Sequence, residues 1–252
     1  MRKTRVALYL VTALAAGAVL LAPKVGVEAS RGDTTVTSIS VNGGRSILLG
    51  PAEGATVPLV LTARDGSGIA SVGPIGVWGP NYGVLGVSPL ECTAAGPSST
   101  CRGTVTVRPR KHEVFDDEAG TWFVDLKVRA RDGDRYVNQT AAGFSVKQAT
   151  LLELAGVPER TTPGEEIRVT GRLDRASWED HGYHGYPGGL VFLQFRAGWS
   201  STWTTVAETY SQADGTLEAT VPAAESGAFQ WYYPGDKWVG DSLSRAVPVS
   251  VG

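Results

Sequence analysis

The sequence predicts an all-β protein: two antiparallel β-sandwiches in tandem behind a cleaved N-terminal signal peptide. Three observations carry that prediction. Gly 32 and Pro 14 together take 46 of the 252 residues, about 18% where roughly 12% is usual, so long helices are interrupted. Apolar and polar residues alternate with a period of two along short stretches separated by turn residues. Charged residues are 19% and hydrophobic residues 42%, without single-sign blocks, which excludes a disordered chain or a coiled coil.

The first 29 residues are expected to be discarded. Arg2, Lys3 and Arg5 precede an apolar run at residues 6–22, and Val27 and Ala29 stand three and one positions before a cut after Ala29. This is the pattern of a secretory signal peptide. The run of 17 residues is at the short limit for a membrane span. No second apolar run follows, so the mature chain is expected to have no transmembrane segment and to be secreted, extracellular or at the cell surface. No Cys directly follows the run, so a lipid-modified N-terminus is not expected.

Cleavage leaves 19 basic and 24 acidic residues, a net charge of −5. Up to Lys147 the mature chain holds 12 basic and 11 acidic residues, and beyond it 7 and 13. Basic and acidic residues alternate, so nucleic acid is not expected as a partner, since its binding needs a basic face.

Cys92 and Cys101 enclose eight residues with Gly96 and Pro97 among them. An oxidising compartment would close the pair as a disulfide, worth about 2.5 kcal/mol on a chain-entropy argument. A metal or redox role would want further ligands or a C-x-x-C spacing, and the sequence has neither.

Alternation then places the strands. Ile39 and Val41 mark one, and Val57, Leu59, Leu61 and Ala63 the next. Val105 with Val107 follows, then residues 121–131, where Trp122, Val124, Leu126, Val128 and Ala130 share one face, then Phe144 with Val146. Residues 111–118 are polar and crossed by turn residues, and are expected to be a loop. Past Gln148 the pattern restarts with Ile167, Val169, Gly171 and Leu173, then Val191, Leu193 and Phe195. Further strands are expected at residues 202–209, 216–221, 228–233 and 246–251. Ala119-Gly120-Thr121-Trp122 is echoed by Ser226-Gly227-Ala228-Phe229, with the glycines 107 positions apart, one sandwich length. The expected organisation is a signal peptide at 1–29, a first sandwich at 30–148 and a second at 149–252, end to end with restricted motion.

The runs Leu61-Thr62-Ala63-Arg64-Asp65-Gly66-Ser67-Gly68-Ile69 and Val128-Arg129-Ala130-Arg131-Asp132-Gly133 resemble strand ends of bacterial immunoglobulin-like domains. Val169-Thr170-Gly171-Arg172-Leu173, Val191-Phe192-Leu193-Gln194-Phe195-Arg196, Asp214-Gly215-Thr216-Leu217 and Tyr233-Pro234-Gly235-Asp236 extend the resemblance to the second half. Together they are similar to the Ig-like modules of exported proteins from high-GC Gram-positive bacteria, and 17 Arg against 6 Lys is compatible with that. The resemblance implies a fold and no activity. The antibody-type disulfide between sheets is absent.

Candidate chemistry is sparse. His112, His181 and His184 fall in polar loop sequence, and no G-x-S-x-G, H-E-x-x-H or Cys beside His is present, so no enzyme is expected. His181 and His184 with Glu179 and Asp180 could offer metal ligands, but the flanking glycines favour an exposed loop. Asp65, Asp132 and Asp134 are candidate calcium ligands. If the strands ending at Ala63 and Arg131 are B and F of an Ig-like sandwich, the loops after them share one end. Asp-Gly turn chemistry alone explains the same runs, and no cofactor beyond possible calcium is expected. Five of seven Trp lie in the second half, and Trp199, Trp203 and Trp238 flank predicted hairpin turns. They are candidate ligand contacts, because an indole face can stack on a sugar or anchor a protein. Closing the ends of the core is the competing role. Arg31-Gly32-Asp33 and the Asn138-Gln139-Thr140 sequon carry no weight as short matches. The expected function is a non-catalytic binding or structural protein with an unknown protein or glycan partner. The alternatives are a carbohydrate- or wall-binding module using those aromatics, and a calcium-binding Ig-like protein.

Overall fold

The computed structural model describes residues 28–252. The basic and apolar segments of the expected leader lie outside the described residues. Strand β1 (Glu28–Arg31) runs across the expected cut after Ala29, setting Glu28 against Asn138 and Ala29 against Val137.

The first half continues with β2 (Thr35–Val41), β3 (Ile47–Leu49), β4 (Ala55–Arg64), β5 (Ile69–Val72) and β6 (Gly76–Trp78). Then come β7 (Gly86–Val87), β8 (Glu91–Ala95), β9 (Ser98–Val107), β10 (Gly120–Ala130) and β11 (Arg135–Gln148). One sheet has the order β1-β11-β10-β5, with β3 beside β11 and β6 beside β10; the other has β2-β4-β9-β7, with β8 beside β9. Residues 111–118 are not one plain loop: two short 3-10 turns, Pro109–Lys111 and Asp116–Glu118, bracket them.

The second half holds β12 (Thr150–Gly156), β13 (Arg160–Thr161), β14 (Glu166–Ala176), β15 (Tyr183–Gly185) and β16 (Leu190–Ala197). It closes with β17 (Thr204–Tyr210), β18 (Thr216–Pro222), β19 (Gly227–Tyr233), β20 (Ser242–Leu243) and β21 (Val247–Val251). Strand β14 pairs with β12, β15 and β18 in one sheet; the other runs β13-β21-β19-β16-β17 with β20 beside β19. Each half is thus an Ig-like sandwich, antiparallel except for one parallel pair in each, β3 with β11 and β13 with β21.

Period-two patterning becomes burial. On β10, Trp122, Val124, Leu126, Val128 and Ala130 face the core, and on β19 Phe229, Trp231 and Tyr233 do so. Each large side chain removed from water contributes about 1.5–3 kcal/mol. Trp122 fits because Gly79 and Gly83 have no side chain: a Cβ there would lie 2.3 Å and 2.6 Å from its ring. Its indole N–H donates to the Glu118 carbonyl at 2.9 Å, so the buried polar edge is satisfied.

The two sandwiches meet at a joint with a buried centre. Trp178 follows β14 in the chain, but its ring is fully buried in the core of the first sandwich, among Leu49, Val114 and Trp122. Asp116 Oδ1 accepts from the Trp178 backbone N–H at 2.6 Å and from Gln148 Nε2 at 2.9 Å. Gln148, 1% exposed, also accepts from Arg175 Nη1 at 2.6 Å through its Oε1. Its backbone N–H donates to the Trp238 carbonyl and its carbonyl accepts from Gly240. A glutamine is tolerable there because its polar groups are paired.

Candidate functional site

The end of the first sandwich away from the joint holds a cluster of aspartates, flanked in the chain by Arg31, Arg64, Arg131 and Arg135. Strand β4 delivers Asp65 just past Arg64, and the β10–β11 hairpin carries Asp132 and Asp134 around Gly133, whose φ of 98° suits the turn. The link from β1 to β2 adds Asp33. Ligand oxygens of Asp33, Asp65, Asp132 and Asp134 lie within 4.8 Å of one another. The structure therefore brings the three sequence-predicted aspartates together and adds Asp33. Sequence reasoning passed over Asp33 as part of a chance tripeptide. Its approach to Asp132 and Asp134 becomes visible only once β1 is seen to pair with β11.

The cluster is knitted by its own loops. Asp65, 1% exposed, accepts from Thr34 Oγ1 at 2.6 Å and from Ser67 N and Oγ at 2.8 and 2.7 Å. Hydrogen bonds from Thr34 and then Ser67 hold its carboxyl below the usual carboxylate range, with burial opposing them. Asp33 N donates to Asp134 Oδ2 at 3.1 Å, and Gly66 N to Asp33 Oδ2 at 3.2 Å. Among the described residues, none of the four aspartates makes an ion pair. Like charges at this separation repel by about 1 kcal/mol per pair even in bulk water. Calcium takes six to eight oxygens, several of them from carboxylates, so the donor set suits that ion.

The three candidate tryptophans do not form one platform. Trp199 and Trp203 lie between β16 and β17, by the start of β19; Trp238 lies beyond its end, at the joint. The seven residues of β19 span roughly 20 Å between them. Trp199 is 83% exposed, and its indole N–H donates to Glu225 Oε2 at 2.8 Å. The Arg196 guanidinium lies over the Trp203 ring at 4.9 Å. Beside them Phe195, Val206, Val221, Ala223 and Phe229 line an apolar groove of about 360 Å³. Trp238 is 47% exposed, with its backbone held in a turn. Asp236 Oδ1 accepts from its backbone N–H at 2.7 Å, Asp236 Oδ2 accepts from the hydroxyls of Tyr186 and Tyr233, and Lys237 covers its ring. Burial, followed by the Asp236 carboxylate, pushes the Tyr186 hydroxyl up to about 12.

The remaining candidates resolve simply. Cys92 and Cys101 face each other across β8 and β9 and are bridged, with Cα atoms 4.0 Å apart. His184 Nε2 meets Asp180 Oδ2 at 2.5 Å on the exposed β15 edge. His181 turns toward the joint, with Nδ1 3.2 Å from the Pro51 carbonyl and its ring 5.8 Å from that of His112. The potential His181 and His184 ligand set is thus split. No helix among the described residues is long and apolar enough to cross a membrane.

No family model matches the chain, and no curated protein matches its sequence. Among solved structures it is similar to the fibronectin(III)-like modules of Clostridium thermocellum CbhA, at 11% identity and a TM-score of 0.38, over 85% of this chain and 93% of that one. It is similar to the D0-D1 domain of intimin at 14% and 0.28, over 85% and 98%. A putative superoxide reductase from Thermotoga maritima is similar at 12% and 0.29, over 42% and 87%. The Ig-like class rests on the strand order of this chain's own sheets.

Proposed function

We propose that this chain is an exported, non-catalytic pair of Ig-like modules acting as a binding or structural protein at the cell surface or outside the cell, from a high-GC Gram-positive host. The observation that carries the reading is the joint. Trp178 of the second sandwich completes the core of the first, which fixes two free ends of different character on one stiff body. One end holds the aspartate cluster; the other carries Trp199 and Trp203 beside an apolar groove, a surface for a protein or glycan partner. The leader pattern and the Cys92–Cys101 bridge support export. Fractionation of the native host with N-terminal sequencing tests this: a chain beginning at Ser30 outside the cytoplasm is expected, and a cytoplasmic chain beginning at Met1 sinks it.

A second reading, calcium binding at the aspartate cluster, is favoured by the convergence of Asp33, Asp65, Asp132 and Asp134 without a basic partner among the described residues. Calcium is expected to displace terbium from residues 28–252, quenching its tryptophan- or tyrosine-sensitised emission. A chain that neither binds terbium nor changes its melting temperature between calcium and chelator lacks the site.

A further inference from the structure

Strand β2 forms one edge of the β2-β4-β9-β7 sheet. Apart from its ladder with β4, it makes no strand pairing and no backbone hydrogen bond among the described residues. Its sequence, Thr-Val-Thr-Ser-Ile-Ser-Val, has neither charge nor proline. The other peripheral strands of five residues or more carry a charge: Glu91 on β8, Glu153 on β12, Glu208 on β17, and Glu218 with Pro222 on β18, while the uncharged β3, β5, β6, β7 and β20 are only two to four residues long. Edges are usually blunted in this way, because an open row of N–H and C=O groups recruits another strand. The β2 bulge falls at Thr37 and leaves residues 38–41 in unbroken register with β4.

We propose that β2 is a contact surface for a second copy of this chain, joined edge to edge by antiparallel pairing about a two-fold axis. Antiparallel self-pairing gives open β2 donors and acceptors mutual partners. The side chains set against one another are Thr, Ser, Val and Ile, which make favourable cross-strand pairs, and no like charges meet. Val36 and Ile39, half-buried at the rim of the core, gain cover from their counterparts. A charged peptide finds no ionic complement on this strand, whereas an identical strand finds a match. Each chain contributes one β2, so the contact is isologous and closes at the dimer. A one-strand interface is small, so the dimer is weak and concentration-dependent.

Sedimentation equilibrium of residues 28–252, from low micromolar to submillimolar concentration, tests the proposal. The weight-average mass is expected to rise from monomer toward dimer. Ser38→Lys, at an exposed position, is expected to hold the chain monomeric with its melting temperature unchanged; Glu208→Lys on β17 is expected to dimerise like the parent. Thr35→Lys replaces the first variant if that melts early. A parent monomeric at every concentration overturns the proposal, as does dimerisation that survives the β2 lysines or is lost equally with Glu208→Lys.

Discussion

Trp178 and Leu49 belong to different sandwiches, yet the Trp178 indole N–H donates to the Leu49 carbonyl at 3.3 Å inside the first core. Replacing the ring leaves a cavity in a core it does not belong to by sequence. Trp178→Ala is expected to cost about 3–5 kcal/mol and to split a single calorimetric unfolding peak into two, the first sandwich melting earlier. An unsplit, unshifted peak would show that the plug does not couple the modules.

Asp65 sets the acid limit of the aspartate cluster. Its folded carboxyl sits below its unfolded value, chiefly through Thr34, so its stabilisation is present above the unfolded value and is lost as pH falls through the folded one. Thr34→Val removes the leading hydrogen bond and raises the folded value. The acid-unfolding midpoint is therefore expected to move to higher pH, as followed by circular dichroism.

Neutralising the cluster separates repulsion from ion binding. Asp132→Asn removes one of four converging carboxylates at an exposed position. In chelator its melting temperature is expected to equal or exceed the parent's, because repulsion falls. In calcium the parent is expected to gain more than the variant, and a calcium gain that the variant retains in full would count against the site.

Exposure predicts which indoles are structural. Trp199→Ala, at 83% exposure, is expected to change stability by less than about 0.5 kcal/mol. Trp231→Ala, fully buried, is expected to cost about 3–5 kcal/mol in a denaturant titration.

The disulfide closes a short hairpin at a sheet edge. Cys92→Ala with Cys101→Ala is expected to cost about 2.5 kcal/mol for the lost cross-link and a further packing cost at the fully buried Cys101, with the β-rich circular dichroism spectrum kept, because the β8–β9 ladder already has five residue pairs.

Strands were legible wherever one face is buried, as on β10 and β19, since a period of two is a direct record of which side meets the core. The B-to-F reasoning also brought Asp65 to Asp132 and Asp134. Asp33 was not legible, because its place depends on β1 and β2 pairing with opposite sheets, which no local pattern encodes. Trp178 was hidden for a similar reason: Ser177-Trp178-Glu179-Asp180 looks like a wet turn, and the cavity it fills belongs to residues far away in the chain, such as Leu49 and Val114, 129 and 64 positions before it. Trp238 is exposed, as its place beside a turn suggested, but Asp236 fixes only its backbone and Lys237 covers its ring.

The joint also has a mechanical meaning. The covalent chain crosses it near Gln148, and three further links cross beside it: the Trp178 plug, the Arg175–Gln148 hydrogen bond and the Lys147–Asp236 contact. Tension applied at the two free ends is shared among links that act in parallel. Pulling the ends apart therefore has to break those links together, not one after another.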